Sequence, residues 1–176
     1  KESSAASDVY KRQHVLGWKS PHYLYHCALA PQLKLLLLDV GMSDDISLRF
    51  NNRDWPGYPL FADYFIDRIA DLPEREQVVN IFMNLSAIGI AQPLNSNILE
   101  FFKALPACAK EKKITFSTPS EICANMNTVD ALDVPDTLSW FDEERDVSTW
   151  LGNPMQREAF NKLYSVAAVS YTHLRA

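Results

Sequence analysis

Residues 77–83 constrain the fold most, because they form a nearly continuous apolar run of β-prone side chains. Such a run predicts a strand covered on both faces, as strands are in parallel sheets. Amphipathic helical patterns lie on either side of it, at residues 61–72 and 95–112. Helix, buried strand and helix in this order predict parallel pairing with right-handed crossovers, and therefore an α/β fold.

Weaker patterns continue the alternation of helices and strands. The spacing predicts a helix over residues 31–40, opened by a proline and closed by Gly41. A capping box is predicted at residues 118–121. The remaining predictions are strands at residues 46–50 and 114–116, a loop at 51–59, a linker at 127–139 and a last helix from Asn153 toward Tyr164.

Composition limits the class of protein. With 176 residues, 47% hydrophobic and 11% aromatic, the chain is able to bury a sizeable core. A net charge of −5 provides no basic face for nucleic acid, and no apolar run reaches the length of a membrane span. Cys27, Cys108 and Cys123 lack a CxxC spacing, which predicts free buried thiols and a reducing, cytoplasmic compartment.

The two ends of the chain look foreign. Residues 8–13 and 169–176 resemble translated sequencing-adapter sequence, as found at the edges of metagenomic reading frames. We therefore interpret residues 1–13 and 169–176 as foreign tails and exclude them from the fold. The alternative is a pair of natural floppy tails. On the first interpretation, parts of a longer protein are missing on both sides.

Two tryptophans, Trp140 and Trp150, enclose a run of charged residues. Each is a candidate platform for a sugar ring, with Asp146 and Asn153 as candidate partners for sugar hydroxyls. In the alternative, Trp150 belongs to a core and the charged run is a solvated face. The helix end after Trp150 favours the core for that residue, whereas Trp140 is interpreted as facing a sugar.

A second polar and aromatic cluster comprises Arg49, Asp54 and Trp55, with Arg53 beside them. It is a candidate sugar-binding cluster, and its alternative is a structural Arg–Asp pair beside a loop tryptophan. His22 and His26 have a spacing that binds zinc on a helix. Because no third ligand is suitably spaced, no metal is predicted.

Five blocks of the chain, in order, resemble α-amylase-type enzymes of glycoside hydrolase family 57. They are residues 17–25 with Trp18, residues 42–55, 76–83 and 115–121, and the tryptophan segment at 139–153. The resemblance covers roughly residues 14–168. It implies part of an incomplete (β/α) barrel, TIM-like and seven-stranded in the family, over residues 14–126. A linker and the start of a helical region then follow over residues 127–168.

The resemblance also implies an activity and a set of site residues. The implied reaction is hydrolysis or rearrangement of an α-glucan or maltooligosaccharide, with retention, through two carboxylates and without a cofactor. The expected substrate-binding residues are Trp18, Arg49, Asp54, Trp55, Trp140, Asp146, Trp150 and Asn153.

The acid/base block departs from the family. The family block reads approximately D-Y-E-T-F-G-E-H-Q-W, and residues 84–93 here keep only Gly89 and Gln92 of its characteristic residues. The acid/base Asp falls on Asn84, whose carboxamide cannot give a proton and take one back. No acidic residue lies between His14 and Leu38, so the family's nucleophilic Glu is expected upstream. We therefore expect this chain alone to be inactive.

Three possibilities for this chain remain open. A local frameshift or sequence error around residues 84–97 would replace contiguous positions together. A non-catalytic glucan-binding or regulatory barrel domain would have lost the acid while keeping the fold. A slice of a barrel that does not fold by itself would expose strand edges and apolar faces.

Overall fold

The computed structural model describes the backbone of residues 16–134 and 147–173, and the side chains of these ranges as far as residue 166. The chain separates into two compact units. The first unit is Lys19–Leu132, and the second comprises the residues before and after it. The first unit is an α/β unit with a small sheet, as the sequence predicts at the level of class.

The sheet of the first unit has three strands in the order β2-β1-β3. Strand β1 (Leu24–Cys27) pairs antiparallel with β2 (Lys34–Leu36) and parallel with β3 (Asp130–Leu132). The hairpin between β1 and β2 closes where the Cys27 N–H donates to the Leu33 carbonyl at 2.9 Å. Parallel pairing is therefore present at β3, whereas the β1–β2 pair is a local hairpin.

The helix predicted over residues 31–40 is wrong, because this segment supplies β2. Helix α1 (Val40–Ser47) begins after it, and the Asp39 Oδ1 accepts a hydrogen bond from the Met42 N–H at 2.8 Å. Asp39 is therefore an N-cap, and Gly41 lies in the first turn of α1. A short run of leucines fits a helix and a strand equally well, and pairing with β1 decides the outcome.

The strand predicted over residues 46–50 is also wrong. Ile46 lies in α1, and both Ile46 and Phe50 are buried in the core. Residues i and i+4 share a face on a helix and also on a strand, so five residues do not separate the two periods. The neighbouring prediction of a loop over residues 51–59 agrees with the structure, in which these residues form turns.

Helices α2 (Ala62–Ala70) and α3 (Ile98–Glu111) confirm the two predicted amphipathic helices. They form the main core, at whose centre lies Phe101 of α3. Its ring meets that of Phe65 edge-on at 5.7 Å between centroids, and that of Phe50 at 5.2 Å. The hydrophobic face of each helix therefore stabilises the other.

Residues 77–83, here called the strap, form neither a helix nor a strand and do not join the described sheet. Val79, Ile81 and Met83 alternate along the strap and pack against the helical core. Phe82, on the opposite face, is 47% exposed. The strand predicted over residues 77–83 is therefore wrong, because the segment has no partner strand among the described residues and is not covered on both faces.

Two short predictions also fail. Residues 114–116 form no strand, and the linker predicted at residues 127–139 contains β3. Three residues carry too little pattern to identify a strand, because a strand exists only where a partner backbone is within reach.

Helix α4 (Pro119–Asn125) confirms the predicted capping box. The Glu121 N–H donates to the Thr118 Oγ1 at 3.3 Å, and the Thr118 N–H donates to the Glu121 carboxylate at 2.7 Å. The hydrogen bonds from Thr118 hold the pKa of Glu121 below its ordinary value. At the other end, the Lys34 Nζ donates to the Cys123 carbonyl at 2.5 Å, which ties α4 to β2.

The described part of the second unit contains α5 (Ser148–Leu151) and α6 (Pro154–His173). The Gln156 N–H donates to the Asn153 Oδ1 at 2.9 Å, and the Asn153 N–H donates to the Gln156 Oε1 at 3.0 Å. This reciprocal cap confirms the helix start predicted at Asn153.

The three cysteines are free and half-buried rather than fully buried. Within the described ranges, no helix combines the length and the apolar character needed to cross a membrane.

Candidate functional site

The loop that follows the strap occupies the position where the sequence predicts a site. It begins at Asn84, whose exposed side chain accepts a hydrogen bond from the Ser86 N–H at 3.1 Å and caps a short 3₁₀ turn. The Gly89 N–H donates to the Gln92 carbonyl at 2.8 Å. Gly89 has a φ of 93°, in the region that favours glycine. The Asn84 carboxamide thus organises local backbone in this loop.

The loop is anchored to helix α1 by a buried side chain. Gln92 is 2% exposed, and its Nε2 donates to the Ser47 carbonyl at 3.0 Å. Its Oε1 is buried without a hydrogen-bond partner. Gly89 and Gln92, the two positions where the resemblance predicts the family's residues, are therefore the ones that shape and hold the loop.

The outer surface of the loop is apolar. Leu85 and Ile90 are 81% and 82% exposed, and Leu94 lies beside them at 62%. Residues 84–97 contain no acidic side chain. A loop of this composition offers a sugar only carboxamides, hydroxyls and backbone groups, and no carboxyl group for proton transfer.

Asp45, and not Asp54, is the partner of Arg49. Asp45 is buried, with its Oδ1 2.9 Å from the Arg49 Nη2 and its Oδ2 2.6 Å from the Arg68 Nη1. Asp54 is exposed on the adjoining loop. The Arg49 guanidinium lies 5.7 Å from the centroid of the half-buried Trp55 ring. The predicted Arg–Asp pair exists, but with a different carboxylate, and it joins α1 to α2.

A buried cluster of His22, Asp39 and Glu76 was missed by the sequence analysis. The His22 Nε2 lies 2.8 Å from the Asp39 Oδ2, and its Nδ1 is hydrogen-bonded to the Glu76 carboxylate. The side chains are 9%, 14% and 12% exposed. The available signal was Asp39, because an Asp directly before a helix is a typical cap.

The two histidines do not share a helix. His26 lies in β1, and its Nδ1 is 3.2 Å from the Thr128 Oγ1. His22 precedes the same strand. Across the described residues, no group of three or more His, Cys, Asp or Glu side chains is arranged to hold a metal ion.

The remaining candidates belong to the second unit. Trp18 is 91% exposed and Trp150 is 46% exposed, so the interpretation of Trp150 as a core residue is not supported. The Asn153 side chain caps α6. Trp140 and Asp146 lie outside the described residues.

A groove of about 990 Å³ opens beside the strap in the first unit. Its lining is mostly aliphatic and aromatic, and includes Ile69, Val79, Phe102 and Ile114. A sugar site needs many hydroxyl partners. The lining also includes polar residues, among them Glu76, Gln77 and Asn80, but most of it is apolar.

Comparison with known proteins identifies relatives of the chain. A model of the family described as "Glycosyl hydrolase family 57" matches residues 5–135. A protein of Methanocaldococcus jannaschii named "Putative alpha-amylase" is 40% identical over 156 residues. That alignment covers 86% of this chain and 32% of the relative, so the chain spans about a third of the relative's length. No solved structure matches the chain.

Proposed function

Since the chain belongs to glycosyl hydrolase family 57, we propose that it is part of an enzyme that hydrolyses or rearranges the linkages of α-glucans with retention. The observation that carries this proposal is the 40% identity to a relative named as an α-amylase. The substrate in the proposal is an α-glucan or a maltooligosaccharide, in line with that printed name.

We also propose that the first unit is a portion of a (β/α) barrel. Support comes from the parallel pairing of β1 with β3, and from the strap, whose alternate residues Val79, Ile81 and Met83 pack against the helical core. A barrel places its chemistry in the loops at the carboxyl ends of its strands. Asn84 directly follows the strap and lies where such a loop begins.

Within this proposal, the chain by itself is inactive. A retaining glycosidase needs one carboxyl group as acid and base and a second as nucleophile. The acid/base position is Asn84, in a loop that has no acidic side chain. The family's nucleophilic Glu is expected upstream of the matched blocks. In this proposal, the matched blocks therefore contain neither the acid/base carboxyl group nor the nucleophilic one.

We expect the purified chain to release no reducing sugar from starch or maltooligosaccharides above a heat-inactivated sample. The Asn84→Asp variant is expected to be equally inactive, because an acid without a nucleophile does not complete a retaining reaction. An active α-amylase, assayed in parallel, controls for the substrate and the detection. Sugar release by the chain above the heat-inactivated sample would overturn the inactivity.

The alternative function is a non-catalytic glucan-binding or regulatory domain. The hydrogen-bonded, anchored form of the 84–92 loop favours it, because the loop keeps a defined shape without the acid. Calorimetry with maltoheptaose distinguishes the two. Heat of binding with no hydrolysis favours the binding domain, and absence of both favours an inactive portion of an enzyme. Reading the gene in the other frames across codons 84–97 tests for a frameshift.

If calorimetry detects maltoheptaose binding, Trp150→Ala is expected to weaken it about tenfold, which corresponds to about 1.4 kcal/mol of lost stacking. The midpoint of thermal unfolding should change little, because the side chain is 46% exposed. A buried tryptophan would instead cost about 3–5 kcal/mol. Calorimetry and a thermal melt of the same variant measure both quantities.

Phe160→Ala is the matched control, because Phe160 lies in the same unit, is 42% exposed and is not a site candidate. Its binding should equal that of the wild type. A large loss of stability in Trp150→Ala with unchanged binding would contradict the sugar platform and return Trp150 to a structural role.

A further inference from the structure

His22 lies where three segments of the first unit meet. Its ring contacts Asp39, which precedes α1, and Glu76, which precedes the strap. Its backbone carbonyl accepts hydrogen bonds from the N–H groups of Gln77 and Val78 at 3.0 and 3.1 Å. One residue thus holds the beginning of the strap through both its ring and its backbone.

Asp39 extends this connection along the strap. Its N–H donates to the Asn80 carbonyl at 3.0 Å, and its Oδ1 caps α1 through the Met42 N–H at 2.8 Å. The Ser43 hydroxyl donates to the Asp39 carbonyl at 2.6 Å. A change at the ring of His22 is therefore transmitted to the strap by two routes, through Glu76 and through Asp39.

The two ring contacts require two protons in all. Each ring nitrogen faces a carboxylate oxygen, and each hydrogen bond requires one proton. A neutral imidazole carries one ring proton, so its second nitrogen would turn a lone pair toward a carboxylate. A doubly protonated ring donates to both carboxylates and places one positive charge between two negative ones. Because the cluster is largely buried, a ring nitrogen that faces a carboxylate with no proton between them would destabilise the fold.

No other cation replaces His22 in the described part of the chain. Lys19, the nearest basic side chain on the same segment, pairs with Asp130 at 2.8 Å and lies 5.8 Å from the Tyr25 ring centroid. The Tyr25 hydroxyl donates to the Ser20 carbonyl at 2.6 Å. Burial raises the pKa of Tyr25, with smaller contributions from Tyr23, Asp130 and Glu76, so Tyr25 stays neutral.

We propose that His22 is a positioning residue that, as an imidazolium, holds the strap against β1 and α1. Loss of its second proton then leaves a ring nitrogen and a carboxylate that repel each other, and the strap loosens. The Asn84 loop continues from the strap, so the protonation of His22 sets how firmly that loop is held. The inference goes beyond the proposed function and does not depend on it, because it concerns only the fold of the first unit.

Nitrogen-15 NMR of the histidine rings in the full chain tests the protonation state directly. Both ring nitrogens of His22 are expected to carry protons. In the same sample, the amides of Gln77, Val78 and Asp39 should exchange slowly, after correction for intrinsic exchange. A His22 ring with a single proton would overturn the proposal.

His22→Gln tests the positioning role, because glutamine donates from one nitrogen only and so satisfies one carboxylate. Exchange at the same three amides should rise about tenfold. His26→Gln is the matched control, since it removes only the contact with Thr128, and it should leave exchange at these amides unchanged. Unchanged exchange in His22→Gln, or an equal rise in both variants, would overturn the proposal.

Glu76→Gln keeps the shape of the cluster and removes one negative charge, so the chain remains testable if His22→Gln does not fold. In this variant the Nδ1 of His22 loses its carboxylate partner, so its nitrogen-15 signal is expected to change while that of Nε2, which faces Asp39, stays the same. An unchanged Nδ1 signal would show that Glu76 does not hold the ring, and would overturn the proposal.

Discussion

Phe101→Ala is expected to lower the free energy of unfolding by about 3–5 kcal/mol. Phe101 is 5% exposed and meets the rings of Phe50 and Phe65 edge-on. The substitution removes these ring contacts and leaves a cavity between α2 and α3. Urea unfolding followed by circular dichroism measures the loss as a lower midpoint.

Phe116→Ala is the control for this prediction. It makes the same chemical change at the surface, because Phe116 is 63% exposed. Its free energy of unfolding should stay within about 0.5 kcal/mol of the wild type. Equal effects of the two substitutions would show that the Phe101 cluster is not the centre of the core.

Asp45→Ala is expected to lower the free energy of unfolding by about 3 kcal/mol. The substitution leaves Arg49 and Arg68 without their shared carboxylate, and breaking a buried pair typically costs about 3–5 kcal/mol. We expect the lower end of that range, because the two arginine side chains are 38% and 31% exposed and reach water. Thermal unfolding at low and high salt measures the effect.

Asp54→Ala is the matched control for Asp45→Ala. It also tests whether Arg49, Asp54 and Trp55 bind a sugar. Asp54 is exposed, so its removal should change stability by less than about 0.5 kcal/mol. If Arg49 and Trp55 serve the fold, Asp54→Ala also leaves glucan binding unchanged. Weaker glucan binding in Asp54→Ala, with stability intact, would instead support the predicted sugar-binding role.

The family could be recognised from the sequence because its motifs are contiguous blocks in a fixed order. The same property exposed Asn84, since a substitution within a short block is visible without a structure. The arrangement of the site could not be predicted in this way. Arg49 has three candidate carboxylates within five residues, Asp44, Asp45 and Asp54. Only the turn of α1 brings Asp45 rather than Asp54 to its guanidinium.

The sequence by itself determined the features whose interactions lie within a few residues. The caps at Thr118 and Asn153, and the helices α2 and α3, depend on hydrogen bonds and on one apolar face within a single turn or helix. A short stretch of sequence therefore contains all the residues that form each of these features.

Only the tertiary structure decided the features whose partners are distant in the chain. Residues 34–36 became a strand because β1 was within reach, although the leucines also fit a helix. His22 and Glu76 are separated by 54 positions, and no local pattern links them. Strand pairing and buried charge pairing depend on which groups folding brings together. Each side chain gains its partner only after the intervening chain has closed, so the sequence alone does not show the pair.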